Sequence, residues 1–455
     1  MRTPGRITAA IEVLTDFDTR RIPLKNALAD WGRNNRYAGS KDRAWISGLC
    51  LDVLRRRNSL SLIMDGAAPR LLVLGALRYL WRFDAEKISE AVVEEHGPGA
   101  LSDDEQAHLS FDEPLTHLAQ QGSSDKEISS SFPDRFNEPA LFKIGDYPEW
   151  MQPMMARVFD KEQHECAALS ERADIDLRIN TLKTTPEKAL QALKTVKAGS
   201  VPAMRLAARI DAPDPSEKAP AVTVIPAFNK GWVEVQDLGS QIAAAAAGDI
   251  KGKQVLDYCA GAGGKTLALA AMMKNTGQLH AWDIDARRLK PLFHRAKRAG
   301  VRNLQIRSPA GGDGIDDLAG KMDVVFVDAP CTGSGTWRRH PDTKWRLTEK
   351  QLGRRMKEQD EVLAQAVRFV KPGGRLVYVT CSIFKEENED RVVKFLEAHS
   401  QVSFRPVLDD IMASGLIPDT ERPSFEKHVT DDGALRLTPY RMRADGFYIA
   451  SFLCA

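Results

Sequence analysis

No Cys-x-x-Cys pair occurs in these 455 residues, although six cysteines do, at positions 50, 166, 259, 331, 381 and 454. Neither a zinc site nor a disulfide framework is therefore expected, no metal is expected, and the thiols suit a reduced, cytoplasmic setting. Long apolar runs are also missing. The longest, Leu71–Leu77 and Ile242–Ala247, are far too short to span a bilayer, so no membrane partner is expected. The opening MRTPGRITAA has no apolar core, so no secretory signal is expected either. A marked excess of one charge is absent overall, at +2, but the balance is uneven. Asp84–Glu138 holds 14 acidic and 3 basic residues, which leaves 61 basic against 48 acidic elsewhere. That asymmetry suggests a polyanionic partner.

What is present reads as about two or three domains. Residues 1 to about 95 are helical by periodicity: Ile7, Ala10, Ile11 and Leu14 recur at helical spacing, as do Ile46, Leu49, Cys50, Val53 and Leu54. Around the second of these helices, Arg33, Arg36, Lys41, Arg43 and Arg55-Arg56-Arg57 form a basic cluster. It fits phosphate contact or a solvated surface with cations at a helix end. From Glu94 to about Phe132 the chain turns polar and acidic and reads as a loosely packed connector. Pro133 to about Pro226 reads as a small α/β unit with a strand at Ile175–Ile179.

From Gln254 onward strands and helices alternate, which argues for a doubly wound parallel sheet, an α/β fold. Strands are expected at Val255–Tyr258, Leu279–Trp282, Leu304–Ile306, Val324–Val327 and Leu376–Val379, with Gly446–Leu453 as a closing edge strand. Between the first strand and its helix lies Cys259-Ala260-Gly261-Ala262-Gly263-Gly264-Lys265-Thr266. Its glycines let a ligand approach the backbone at a helix N-terminus. A phosphate-cradling loop ending in Gly264-Lys265-Thr266 lacks its first glycine, because Cys259 stands there. A dinucleotide fingerprint from Gly261 lacks its last, because Thr266 stands there. ATP and NAD are thus disfavoured, while a nucleoside remains: Asp283 ends the second strand, where a carboxylate can accept from ribose hydroxyls or cap the next helix.

Two further strands each run into a cysteine. Val324–Val327 ends in Asp328-Ala329-Pro330-Cys331, and Leu376–Val379 ends in Thr380-Cys381-Ser382. Chemistry in an open parallel sheet sits beyond the carboxyl ends of strands, and the repetition of the junction favours function over packing.

These pieces resemble the Sun-type RNA cytosine-5 methyltransferases, which use S-adenosylmethionine. The matching stretches are CAGAGGKT at 259–266, DAPCTGSG at 328–335, RRHPD at 338–342 and VTCS at 379–382. GWVEVQD at 231–237, DLRINTLK at 176–183 and DGFYIA at 445–450 match as well. The front end, around GSKDRAWISGLCLDVLRRR, resembles the NusB-like helical RNA-binding module, and the combination is similar to the bacterial 16S rRNA branch. The family usually has Ala-Pro where this chain has Gly261-Ala262, which predicts a more flexible loop; its adenine-facing Asp after the third strand does not align clearly with Asp313.

The resemblance implies a Rossmann-like class I methyltransferase sheet at 231–455, a small α/β RNA-binding subdomain at 133–230, an acidic linker at 96–132 and a NusB-like domain at 1–95. It implies Cys381 as nucleophile toward carbon 6 of cytosine and Cys331 as the residue that assists release. Asp328 is placed to meet ring nitrogen 3. Lys265 either lowers a thiol pKa or is a solvated first-turn lysine. The S-adenosylmethionine site would comprise Cys259, Ala260, Gly261, Ala262, Gly263, Gly264, Lys265, Asp283 and Asp328. RNA contacts are expected at Arg178 and Asn180, and at Arg338, Arg339 and His340. There Lys344, Arg346, Trp337 and Trp345 interleave cations with rings in a way that suits single-stranded RNA. His340 reads as structural rather than catalytic. A monomer acting on rRNA is expected; a tRNA methyltransferase and a non-catalytic rRNA-binding assembly factor are the alternatives.

Overall fold

The computed structural model describes residues 1–110, 145–159, 162–214, 220–309 and 314–455. They form two compact units, each built from separated stretches of chain.

Most of the first unit is Met1–Arg172 together with Thr336–Leu347. Helices span Thr3–Arg20, Leu24–Asn34, Ser40–Arg55, Arg57–Ile63, Pro69–Gly75, Ala85–Val93 and Asp103–Leu109. Residues at helical spacing, Ile7, Leu14, Ile46, Leu49 and Val53 among them, are wholly or almost wholly buried in one core. Each such side chain contributes roughly 1.5–3 kcal/mol of burial. The connector expected from Glu94 is folded in its first part. Ser102 caps Asp103–Leu109 through a capping box with Glu105, Glu105 pairs with Arg70 at 2.7 Å, and Leu109 enters the core. Its remainder, 111–132, lies outside the described residues. Residues 145–172 also belong here and not to a small α/β unit: Asp146 accepts from the Ser59 amide at 3.0 Å, and Arg172 pairs with Asp52.

The basic cluster is largely consumed by the fold. Arg43 donates to the carbonyls of Ala38 and Gly32, Arg55 pairs with Asp52, and Arg57 pairs with Asp18 at 2.7 Å. Arg36 and Lys41 remain exposed.

The strip Thr336–Leu347 corrects a second expectation. Trp337 and Lys344 are only 2% and 1% exposed. Lys344 Nζ donates to the Arg55 carbonyl at 3.0 Å and sits 5.4 Å from the Trp345 ring, while Trp345 Nε1 donates to the Leu54 carbonyl. Arg55 in turn grips the Arg338 carbonyl. The interleaved cations and rings satisfy one another inside this unit instead of presenting a face to RNA.

In the second unit, β1 (Ile175–Ile179), β2 (Gly199–Ser200), β3 (Ala207–Ile210) and β4 (Val233–Val235) form an antiparallel sheet in the order β2-β3-β1-β4. Because Ile179 pairs with Val233, a domain boundary at 230/231 would cut this sheet. The helix after it spans Leu238–Ala245, with Asp237 as its cap.

The larger sheet contains β5 (Gln254–Asp257), β6 (Gln278–Trp282), β7 (Leu304–Arg307), β8 (Met322–Asp328), β9 (Val370–Thr380), β10 (Val402–Arg405), β11 (Leu435–Leu437) and β12 (Phe447–Cys454). Its order is β10-β12-β9-β8-β5-β6-β7, with β11 also on β12. The five strands from β9 to β7 are parallel; β12 runs antiparallel to β9 and lies between β9 and β10. It is therefore not the edge strand its C-terminal position suggests. Alternate residues supply two cores. Val255, Leu279, Phe326 and Val377 face one layer, and Leu256, Val325, Val327 and Tyr378 face the other. Burial on both faces explains the unbroken apolar runs.

Candidate active site

Pairing of β8 with β9 sets Asp328 opposite Val379, so the two strand ends finish side by side. Ala329 N donates to the Val379 carbonyl at 2.8 Å and Gly335 N to the Cys381 carbonyl at 2.9 Å, which laces the two following loops together. As a result Cys331 Sγ and Cys381 Sγ, fifty residues apart, are 3.3 Å from each other. The contact with Cys381, burial and the nearby Glu387 together push the Cys331 thiol well above the ordinary cysteine range. The Cys331 proton is therefore held more tightly than that of an ordinary thiol, and either sulfur can donate in the contact.

Lys265 opens the helix Gly264–Met272 and reaches across to Asp328, with Nζ 2.7 Å from Oδ2. Burial opposes its charge, but Asp328, Cys381 and Asp257 outweigh that cost and raise its pKa. The ammonium also lies 5.1 Å from the Phe447 ring. It is a buried cation beside both the carboxylate and the thiols, not a solvated lysine.

The glycine turn is held at several points. Asp283 is 1% exposed; it accepts from Gly261 N and Asp285 N, each at 3.0 Å, and Arg288 pairs with it at 3.1 Å. Arg295 donates to the Ala262 carbonyl at 2.7 Å. These bonds anchor the turn where Gly261-Ala262 led to an expectation of looseness. Gly261 and Gly263 have φ of 51° and 84°, and a Cβ on Gly263 would fall 2.2 Å from Leu292. A Cβ on Gly264 would meet only open space, and Cys259 and Ala260 complete the turn. Beneath it, Asp257 accepts from Thr266 Oγ1 at 2.6 Å through Oδ2, while its buried Oδ1 meets no donor among the described residues. Burial pushes Asp257 up to about 7, with Asp328 and Asp283 adding to the effect. An open cradle above Gly264, a carboxylate at Asp283 and an orphaned oxygen on Asp257 suit a cationic nucleoside ligand. Asp313 lies outside the described residues.

Sequence reasoning missed the brace behind the thiols. Glu387 is wholly buried and accepts from Thr332 N at 2.8 Å, from Thr332 Oγ1, and from Gln359 Nε2 at 2.9 Å. Ser334 and Ser382, 2.9 Å apart, tie the same loops. In the run Glu386-Glu387-Asn388-Glu389, nothing local separates Glu387 from acids that merely suit a helix start.

The expected RNA contacts fare differently. Asn180 spends its amide on the carbonyls of Gly231 and Ala299 and on Leu182 N, so it is not free for RNA. Arg178 and Arg338 are each 5% exposed. Arg339 is half-buried and His340 exposed, both in the helical unit. No group of three His, Cys, Asp or Glu side chains among the described residues could hold a metal, and no described helix is long and apolar enough to cross a membrane.

Residues 248–453 match a family described as 16S rRNA methyltransferase RsmB/F. The "Probable ribosomal RNA small subunit methyltransferase B" of Synechocystis sp. is 30% identical over 97% of this chain and 98% of its own. Ribosomal RNA small subunit methyltransferase B of Salmonella heidelberg is 29% identical over 82% and 84%. The crystal structure of PH0851 superposes with a TM-score of 0.67 at 24% identity over 99% of both chains, a likeness of fold.

Proposed function

The chain belongs to the 16S rRNA methyltransferase RsmB/F family, and from that premise we propose that it methylates carbon 5 of a cytosine in 16S rRNA through a covalent bond to Cys381. It is an S-adenosylmethionine-dependent RNA methyltransferase with a class I methyltransferase sheet. The observation that carries the finer reading is the pair of thiols 3.3 Å apart beside the Lys265–Asp328 ion pair.

When bound, S-adenosylmethionine supplies an electrophilic methyl group on a sulfonium; Gly264, Asp283 and Asp257 line the space that would hold it. Carbon 5 of cytosine is too weak a nucleophile to take that methyl unaided. Addition of the Cys381 thiolate to carbon 6 makes carbon 5 enamine-like. The cation of Lys265 favours that thiolate electrostatically, and Asp328 meets ring nitrogen 3, where charge changes as the adduct forms. After transfer, water takes the proton from carbon 5, the C–H electron pair re-forms the carbon 5–carbon 6 double bond, and the Cys381–carbon 6 bond breaks with its pair returning to sulfur as thiolate. Cys331, 3.3 Å from that sulfur, assists the release by donating a hydrogen bond to the departing thiolate. Glu387 fixes the loop that carries Cys331 through Thr332.

A binding-only role in ribosome assembly would have no need of this arrangement, and both thiols and the cradle are in place. In the same reading the helical unit binds rRNA, with the exposed Arg36, Lys41 and His340 as contacts, and the protein acts as a monomer in the cytoplasm. Bisulfite sequencing of total RNA from cells with and without the protein tests the assignment. One 16S cytosine should lose protection when the protein is absent. An unchanged 16S pattern, or a change confined to tRNA, would overturn it.

A further inference from the structure

A cavity of 760 Å³ opens in the methyltransferase unit where the small sheet meets the helices Leu238–Ala245 and Gly264–Met272. No acidic side chain lines it. Arg178, Lys274 and Arg302 bring cations, Gln241 an amide, and Met204 and Leu416 an apolar wall.

Two of these groups are poorly matched by the protein itself. Arg178 is 5% exposed, and Nε donates at 2.7 Å to Gln236, a neutral partner. The carboxylate opposite, Glu234, is already gripped by Arg295 and Arg298, and no described residue accepts from the terminal nitrogens of Arg178. A buried guanidinium without an anion in contact is costly. Gln241 is wholly buried; its Nε2 donates to the Gln236 carbonyl at 2.9 Å, while its Oε1 has no donor among the described residues. Lys274 and Arg302 are exposed. The cavity thus combines cations lacking an anion, an acceptor lacking a donor, and an apolar wall.

We propose that this cavity is a second nucleotide-binding site, separate from the thiol pair. Its cations take a phosphate group, a base lies on Met204 and Leu416, and a base N–H donates to Gln241. The nucleotide comes either from the bound RNA or from free nucleoside monophosphate. The RNA source rests on the function proposed above; the free source does not.

Photo-crosslinking of the full chain with 4-thiouridine 5′-monophosphate, and separately with a 16S-derived RNA carrying 4-thiouridine, tests the site. Adducts are expected on the peptides bearing Met204 or Leu416. They should fall at least tenfold in Lys274→Glu/Arg302→Glu, a variant confined to exposed positions, with S-adenosylmethionine affinity and melting temperature unchanged. Adducts with the monophosphate identify the free source, and adducts with RNA alone the RNA source. Adducts elsewhere, or undiminished in the variant, would overturn the inference. Absence of adducts from protein that still methylates 16S rRNA would overturn it while leaving the proposed function intact.

Discussion

Cys331 and Cys381 touch, so their separate roles show in what each loss leaves behind. On the proposed mechanism Cys381→Ala removes the nucleophile, so it should abolish both methyl transfer and covalent capture of RNA. Cys331→Ala leaves addition and transfer but impairs release, so protein joined to RNA should accumulate and survive denaturing electrophoresis. The double variant should behave as Cys381→Ala does. Capture by Cys381→Ala and none by Cys331→Ala would reverse the two roles. Asp257 offers a second test at this scale. Its carboxyl holds a proton up to about pH 7 in the folded protein, against about 4 when unfolded. Its contribution to stability is therefore fully present below about pH 4 and is lost as pH rises through 7, by up to roughly 4 kcal/mol. Thermal melts between pH 4.5 and 8 should show this decline, and Asp257→Asn should flatten it; an equal slope in both proteins would count against the buried, protonated carboxyl. The positions of the thiols and Asp328 were legible in the sequence because strand ends in a parallel sheet announce themselves; Lys265, in the first turn of a helix, reads equally well as a solvated lysine, and its pairing with Asp328 emerges only from the fold. Glu387 was not legible, since its importance lies in what folds around it.

At the level of elements, β8 and β9 could be read from their apolar runs, because burial on two faces removes alternation, whereas β7 at the sheet's edge alternates, with Gln305 exposed between Leu304 and Ile306. The place of β12 could not: pairing order is a long-range property, and a final strand inserted beside β9 has the same local pattern as one at an edge. The strip around Trp337 failed for a related reason. Cations among rings look alike whether they meet nucleotides or, as Lys344 does, a backbone carbonyl and neighbouring tryptophans. The glycine turn permits a contrast between two adjacent residues. Gly263→Ala meets a φ of 84° and the Leu292 side chain, so both melting temperature and cofactor affinity should fall, the latter at least tenfold, about 1.4 kcal/mol. Gly264→Ala projects into open space and should leave the melting temperature alone while weakening S-adenosylmethionine binding. Unaltered titration of Gly264→Ala would place the cofactor elsewhere.

For the whole molecule, the sequence reading placed domains end to end, whereas the helical unit takes Thr336–Leu347 from the middle of the methyltransferase stretch. Removing residues 1–110 should therefore do more than reduce RNA affinity and its salt dependence. It strips the carbonyl partners of Lys344 and Trp345, so the truncated chain should bind hydrophobic dyes and lose solubility. Lys344→Met and Trp345→Ser in the truncated chain should restore part of that solubility. A truncated protein as soluble as the full chain would mean the strip does not need its partners. The same strip, which begins one residue after Gly335, has a consequence for descent. A gene encoding this protein cannot acquire, exchange or discard its front module in a single crossover, because a dozen codons belonging to that module are stitched in behind the catalytic loop. Hybrids joined at one point between distant relatives should fail, and hybrids that carry both segments together should fold. The two parts are thus obliged to change in step, as a lock and a key cut from one blank.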